Sequence, residues 1–165
     1  MKVIKEIVYR IVPFDSDLNV GDSILLTKSE KERSVFKQCL EDSLEKCRPN
    51  GFPSREKCLF VCFSKENAYE WAYIKYARHN TKYILFTLEV TGELYWLKSD
   101  CYNLIGNSYT QEQLNQACID YWNSMTENRN DLKLDRGYEG LFVGENIIIS
   151  IEYKNYFNGE SYDIK

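Results

Sequence analysis

The stretch LFVCFSKENAYEWAYIKYARHN, residues 59–80, contains a complete strand-to-helix corner and gives the clearest indication of the fold. Its first five residues are apolar and rich in β-branched and aromatic types, which favours a strand. At Ser64 the pattern becomes helical, and a serine in this position is typical of a helix N-cap. A hydroxyl group at this corner either caps the helix or faces a ligand, and it can do both.

The segments around this corner predict strands and helices that do not alternate in regular βαβ units. Strands are predicted at 3–12, 57–63, 81–90 and 94–99, and in two parts of 138–153 joined by a turn at 144–146. Helices are predicted at 27–47 and 65–79, and Thr110 and Gln113 form the capping box of a third. This order predicts an α+β fold with mostly antiparallel strands. We expect a single domain over residues 1–165, with a frayed tail at 155–165.

Composition excludes several classes of function. The net charge of −4 does not favour nonspecific binding to nucleic acids or anionic membranes. No apolar run is long enough to cross a bilayer. The chain has six cysteines without metal-site spacing and a single histidine, so we predict no metal and reduced thiols in a cytoplasmic protein. The REK run at 55–57 is expected on a solvated face.

Three short segments carry the residues that are candidates for chemistry. VYRIV places Arg10 in the middle of a strand, LFVCFS ends a strand at Ser64, and YEGLFVG begins a late strand with Glu139. A guanidinium, a hydroxyl group and a carboxylate therefore lie at three strand positions that are distant along the chain. No glycine-rich phosphate loop or nucleophile elbow accompanies them.

This order resembles that of the ADP-ribosyltransferase superfamily. Its members carry Arg or His on the first core strand, an F-x-S/T corner before a helix, and a Glu that leads an E-x-L-x-x-G strand. The corresponding segments here are YR at 9–10, FS at 63–64 and EGLFVG at 139–144. LNVGDSILL at 18–26 is also similar to a segment of rifampin ADP-ribosyltransferases. The resemblance implies two curved, mostly antiparallel sheets around a cleft with flanking helices.

The resemblance also implies NAD as the substrate and transfer of ADP-ribose to an acceptor, which is a protein, a nucleic acid or a small molecule. Glu139 would stabilise positive charge on the ribose, Arg10 would bind the pyrophosphate, and Ser64 would steady the ribose or the Arg–Glu geometry. The implied NAD-binding residues are Arg10, Tyr9, Phe63, Ser64 and Tyr69. Glu145 is the reserve carboxylate. Such an enzyme would suit a toxin or a phage–host conflict effector, with an inhibitor protein as a further partner.

Each residue also has a simpler interpretation. Ser64 is explained by helix capping alone, Arg10 by an outward position on an amphipathic strand, and Glu139 by a surface position beside a turn. The same fold also admits NAD hydrolysis or phosphate removal from RNA ends, and the latter would favour a more basic cleft. A binding module without catalytic activity is the remaining alternative.

Overall fold

The computed structural model describes residues 1–25, 35–76, 81–103, 109–132, 137–157 and 160–164. The strands are β1 (Lys2–Pro13), β2 (Leu59–Val61), β3 (Thr81–Lys98), β4 (Tyr138–Phe157) and β5 (Glu160–Asp163). The helices are α1 (Val35–Lys46), α2 (Lys65–Tyr76), α3 (Asp100–Asn103) and α4 (Gln111–Asn123), with 3-10 turns at Arg55–Lys57 and Arg129–Asp131. Among the described residues, no helix combines the length and the apolar character needed to span a bilayer.

All strands within the described ranges pair antiparallel in one sheet. Their order is β1-β3-β4-β2, and β5 pairs with the end of β4. The predicted α+β class with antiparallel strands is therefore confirmed. Hydrogen bonding joins these strands in one sheet, whereas the resemblance implied two.

Gly92 and Gly144 explain why β3 and β4 are long, continuous strands. The two glycines are direct partners in the β3–β4 ladder. A Cβ at Gly92 would lie 2.3 Å from the Val143 carbonyl oxygen, and one at Gly144 would lie 2.4 Å from that of Thr91. The backbones thus approach each other too closely here for any side chain, and both strands continue past this point. The turns predicted at these glycines are wrong, because both positions lie inside continuous strands. A close approach of two backbones favours glycine just as a turn does.

A backbone bridge joins β1 to the residue that follows β2. Tyr9 and Cys62 exchange two backbone hydrogen bonds of 2.9 and 2.7 Å, just after β2 ends. This bridge brings the middle of β1 beside β2. It therefore places Arg10 next to the strand that leads into the Ser64 corner.

The helix α4 follows the sequence prediction closely. The Thr110 side chain accepts from the Gln113 backbone N–H, and the Gln113 side chain accepts from the Thr110 N–H, at 3.2 and 2.8 Å. The predicted capping box is confirmed. Its buried face, which includes Leu114, Cys118 and Tyr121, packs in one core cluster with Leu44 of α1.

Other element ends differ from the prediction. Residues 26–34 and 77–80 lie outside the described ranges, so the predicted helix ends there have no structural description. The predicted loop after residue 99 contains the short helix α3. The tail that was expected to fray forms β5, which pairs with residues 154–157 and whose Asp163 binds Lys154 at 2.6 Å. An ion pair between side chains nine positions apart thus holds the tail to the sheet.

Candidate functional site

The Ser64 corner fixes the start of β4. The Ser64 Oγ accepts from the Asn67 backbone N–H at 3.1 Å, which confirms the predicted N-cap. One turn and two turns into α2, the side chains of Asn67 and Trp71 both donate to the Tyr138 carbonyl oxygen, at 3.3 and 3.1 Å. Two side chains of the helix therefore hydrogen-bond the residue directly before Glu139.

A cavity of about 370 Å³ lies beside this junction. It is bounded by the middle of β1, by β2 and by the first residues of β4. Its polar and aromatic lining consists of Arg10, Glu41, Arg55, Phe60, Trp71 and Glu139. Two predicted site residues, Arg10 and Glu139, thus share one hollow, and the four formal charges of the lining balance.

Arg10 is half-buried in the middle of β1. Its Nη1 donates to the Phe60 carbonyl oxygen at 2.5 Å, so the side chain reaches across to β2. The interpretation of Arg10 as an outward-facing surface residue is therefore wrong. The guanidinium forms part of the cavity wall instead.

Glu139 is buried, with 3% of its surface exposed. The Tyr121 hydroxyl group donates to its Oε1 at 2.6 Å, and Arg55 Nη1 donates to the same oxygen. The surface interpretation of Glu139 is therefore wrong. Tyr121 is itself part of the core, and its hydroxyl group binds Glu139 in addition.

Arg55 is the site residue that the sequence interpretation missed. It is 5% exposed, and its Nε and Nη2 donate to the Glu41 carboxylate at 3.1 and 3.3 Å. Its guanidinium carbon lies 4.8 Å from the centre of the Phe60 ring and 5.0 Å from that of Tyr121. The expected solvated face at 55–57 is therefore wrong at this residue. Its two carboxylate partners are 14 and 84 positions away, so no local pattern identifies it.

Other predicted site residues are not among those that line this cavity. Phe63 lies in the core, edge-on to Trp96 and Tyr138, with ring centres 6.0 and 6.3 Å apart. Tyr9 and Tyr69 pack on the cluster that contains Cys62 and α2. Within the described part of the chain, the aromatic groups of the cavity wall are Phe60 and Trp71.

Glu145 and Ser64 also lie apart from the cavity wall. Glu145 is exposed and lines a second cavity of about 350 Å³ together with Lys57 and Asn146. Ser64 affects the cavity only indirectly, because it caps the helix that carries the lining residue Trp71. Of the three predicted catalytic residues, two therefore meet in one hollow and the third supports its wall.

The two cysteines nearest the site are poor nucleophiles. Burial raises the pKa of the Cys58 thiol to about 12, although the nearby Arg55 guanidinium opposes this shift. Burial likewise raises the pKa of Cys62 far above its ordinary range. Both side chains therefore remain thiols near neutral pH. Among the described residues, no group of three histidine, cysteine or acidic side chains is placed to hold a metal ion.

Comparison with known proteins gives one family. A family model described as "Protein of unknown function (DUF2441)" matches residues 8–156. The match covers both walls of the cavity, from Arg10 to Glu139. A search of the curated proteins found no match.

Proposed function

Since this chain belongs to the DUF2441 family of proteins of unknown function, we propose its activity from the cavity itself: it is an NAD-dependent ADP-ribosyltransferase. The observation that carries the proposal is that Arg10 and Glu139 line one cavity. The resemblance in sequence order assigned a pyrophosphate contact and a ribose contact to these two residues. A shared hollow is what these two roles require.

In the proposed complex, Arg10 binds the pyrophosphate of NAD. A guanidinium offers paired N–H donors that match two phosphate oxygens. Its position on β1, beside the bridge between Tyr9 and Cys62, holds it against the cavity wall. We therefore expect the loss of this side chain to weaken the affinity for NAD more than it lowers the turnover rate of bound NAD.

Glu139 is the proposed catalytic residue. The bond between C1′ of the ribose and the nicotinamide nitrogen breaks, and nicotinamide leaves with the bonding electron pair. The ribose then carries positive charge like an oxocarbenium ion, which a nearby carboxylate stabilises. The acceptor nucleophile donates an electron pair to C1′, and its proton passes to a base or to solvent. A buried carboxylate interacts with a developing positive charge more strongly than one at the surface, because the local dielectric constant is lower.

Trp71 and Phe60 are the proposed aromatic contacts of the nicotinamide ring, in place of Tyr9, Phe63 and Tyr69. Both rings line the cavity with Glu139. Flat aromatic faces stack on a planar ring at low conformational cost. Ser64 contributes through α2, because the helix that it caps carries Trp71.

The proposal extends to an ADP-ribosyltransferase-like fold. The glycine pair Gly92–Gly144 divides β3 and β4 into two halves. β5 and all of β1 except its first residues pair on one side of this glycine pair, and β2 pairs on the other. These halves support the two curved sheets that the resemblance implies. All six cysteines are free, which supports the reducing environment of the cytoplasm as the place of action.

Turnover of NAD labelled in its adenine ring tests this function. We expect the protein to release nicotinamide and to move the label onto an acceptor present in a cytoplasmic extract. Glu139→Gln should lower turnover by about 100-fold or more, because shape is kept while the charge that stabilises the ribose is lost. Glu145→Gln is the matched control and should turn over NAD like the wild type.

The outcomes separate the alternatives. Label found only as free ADP-ribose would replace transfer with hydrolysis in the same cavity. An active Glu139→Gln variant with an inactive Glu145→Gln variant would move the site to the second cavity. If the wild type neither turns over NAD nor binds it in calorimetry, the enzymatic proposal is overturned in favour of a binding module. Arg10→Ala with unchanged NAD affinity would remove Arg10 from the site.

A further inference from the structure

We infer that Arg55 is the positioning residue of this cavity: its guanidinium holds the Glu139 carboxylate at the wall in the orientation needed for reaction. The kinetic part of this inference rests on the proposed function. Its structural part, the fixed orientation of Glu139, is measured without any turnover. Nothing in the sequence order that suggested the activity assigns a role to this arginine.

Arg55 joins three elements that are distant in the sequence. Through Nε and Nη2 it binds Glu41 of α1, and through Nη1 it binds Glu139 of β4 and the hydroxyl group of Tyr121 on α4. The faces of the Phe60 and Tyr121 rings lie within 4.8 and 5.0 Å of its guanidinium carbon. With its donors bound on several sides and two rings packed near it, the guanidinium has one position.

The consequence for Glu139 follows from charge and burial. A glutamate side chain has three rotatable bonds, and a buried carboxylate without a partner is costly. Arg55 and Tyr121 both bind Oε1, so they define which oxygen faces the protein. Without Arg55, the Glu41 and Glu139 carboxylates lose the cation that binds both of them, and we expect the orientation of Glu139 to change. The effect of Arg55 on the reaction therefore passes through Glu139.

Lysine cannot replace Arg55 in this role. A guanidinium spans Glu41 with two donors while a third donor reaches Glu139. An ammonium group is a point charge on a flexible stem and does not have this planar fork. Arg55→Lys therefore keeps the charge and loses the geometry, which separates the two contributions.

Chemical rescue tests the inference. Arg55→Ala leaves a space shaped for a guanidinium ion between Glu41 and Glu139. We expect kcat to fall about 100-fold with KM within about threefold of the wild type, because Glu139 acts mainly on the positive charge that develops in the transition state. Guanidinium chloride at about 50 mM, far below the concentrations that unfold proteins, should restore kcat by about tenfold or more. Urea has the same shape without the charge, and neither it nor sodium chloride at equal concentration should rescue.

A spectroscopic measurement keeps the inference separate from the proposed function. The carboxyl carbon resonance of Glu139 is identified by its loss in Glu139→Gln. We expect one sharp resonance in the wild type, a broadened or shifted one in Arg55→Ala, and recovery with guanidinium. If the wild type turns over no NAD, the proposed function fails and this resonance alone decides the inference.

Several results would overturn the role of Arg55. An unchanged resonance in Arg55→Ala shows that Glu139 keeps its orientation alone. A rise in KM with unchanged kcat makes Arg55 a substrate contact instead. Full activity of Arg55→Lys excludes the geometric role. If Arg55→Ala does not fold, kcat and the Glu139 carboxyl resonance are measured in Arg55→Lys and Tyr121→Phe instead. Wild-type values of kcat and of the resonance in both variants would overturn the inference.

Discussion

Two buried cations of this protein have nearly the same surroundings and different consequences. Arg55 binds two carboxylates and packs near aromatic rings, and Lys154 binds Glu152 and Asp163 at 2.9 and 2.6 Å with its Nζ 5.4 Å from the centre of the Tyr69 ring. Both side chains are almost completely buried, at 6% and 7% exposed. The difference lies in the carboxylates that they hold.

The partners of Lys154 have alternatives in water or in another cation, whereas Glu139 is buried beside Arg55. Asp163 is 77% exposed, and Glu152 also binds Lys65 at 2.5 Å. The side chain of Glu139 is 4% exposed and lines the cavity. Burial alone would lower the pKa of Lys154, but the hydrogen bonds to its carboxylates outweigh it and raise that pKa. The same set of groups thus fastens a terminal strand in one place and orients a carboxylate in the other.

Removing each cation should give the largest difference between the two clusters. We expect Arg55→Met to lower the free energy of unfolding by about 3–5 kcal/mol, because it leaves a buried carboxylate without its charge partner. Lys154→Met should cost only about 1–2 kcal/mol, because Asp163 returns to water and Glu152 keeps Lys65. Urea denaturation at pH 7 measures both values. Equal losses of unfolding free energy in the two variants would show that the two clusters contribute equally to stability.

Ser64→Ala should lower the free energy of unfolding by a smaller amount. It also tests whether the corner supports the Lys154 cluster or the cavity. Ser64 precedes Lys65, which joins the Lys154 cluster through Glu152. We expect a loss of about 1 kcal/mol in the free energy of unfolding, because the Asn67 N–H loses its cap. NAD turnover should stay within about threefold of the wild type. A large loss of turnover in a stable Ser64→Ala variant would instead give the hydroxyl group the catalytic role that the sequence suggested.

Asp163→Asn should have the smallest effect, and it should depend on pH. The hydrogen bond from Lys154 lowers the pKa of Asp163 below its ordinary value of 3.8. A lowered pKa stabilises the folded state above the unfolded value, and this contribution is lost as the pH falls through the lowered value. Urea midpoints of the wild type and of Asp163→Asn should therefore differ at pH 6 and converge toward pH 3. A difference that stays constant over this range would contradict the ion pair.

Local patterns in the sequence predicted the elements whose causes are local. The capping box at Thr110 and Gln113 and the N-cap at Ser64 are both confirmed, because each depends on residues three positions apart. Gly92 and Gly144 were interpreted as turns, although the structure pairs them across two neighbouring strands whose backbones approach closely. That pairing joins residues far apart in the sequence, so no short window contains it.

The same limit applies to the candidate site. Arg10 and Glu139 were found from their strand positions, and the structure brings both to one cavity. Arg55 was assigned to solvent because its neighbours in the sequence are polar. Its burial depends on Glu41, Glu139 and the two rings, which only tertiary structure brings together. Residues whose charged partners lie far away along the chain are the hardest to identify from a single sequence.

The pairing of β1 with β3 also determines the order of events during synthesis. β1 leaves the ribosome before β3, and its ladder partners occupy positions 83–93. At about 5–20 residues per second, this edge remains without its partner for on the order of 10 s. Throughout that interval a segment rich in valine and isoleucine is open to contact with other nascent chains. Slower translation between the two strands would lengthen this vulnerable period, so the yield of folded protein should depend on elongation speed.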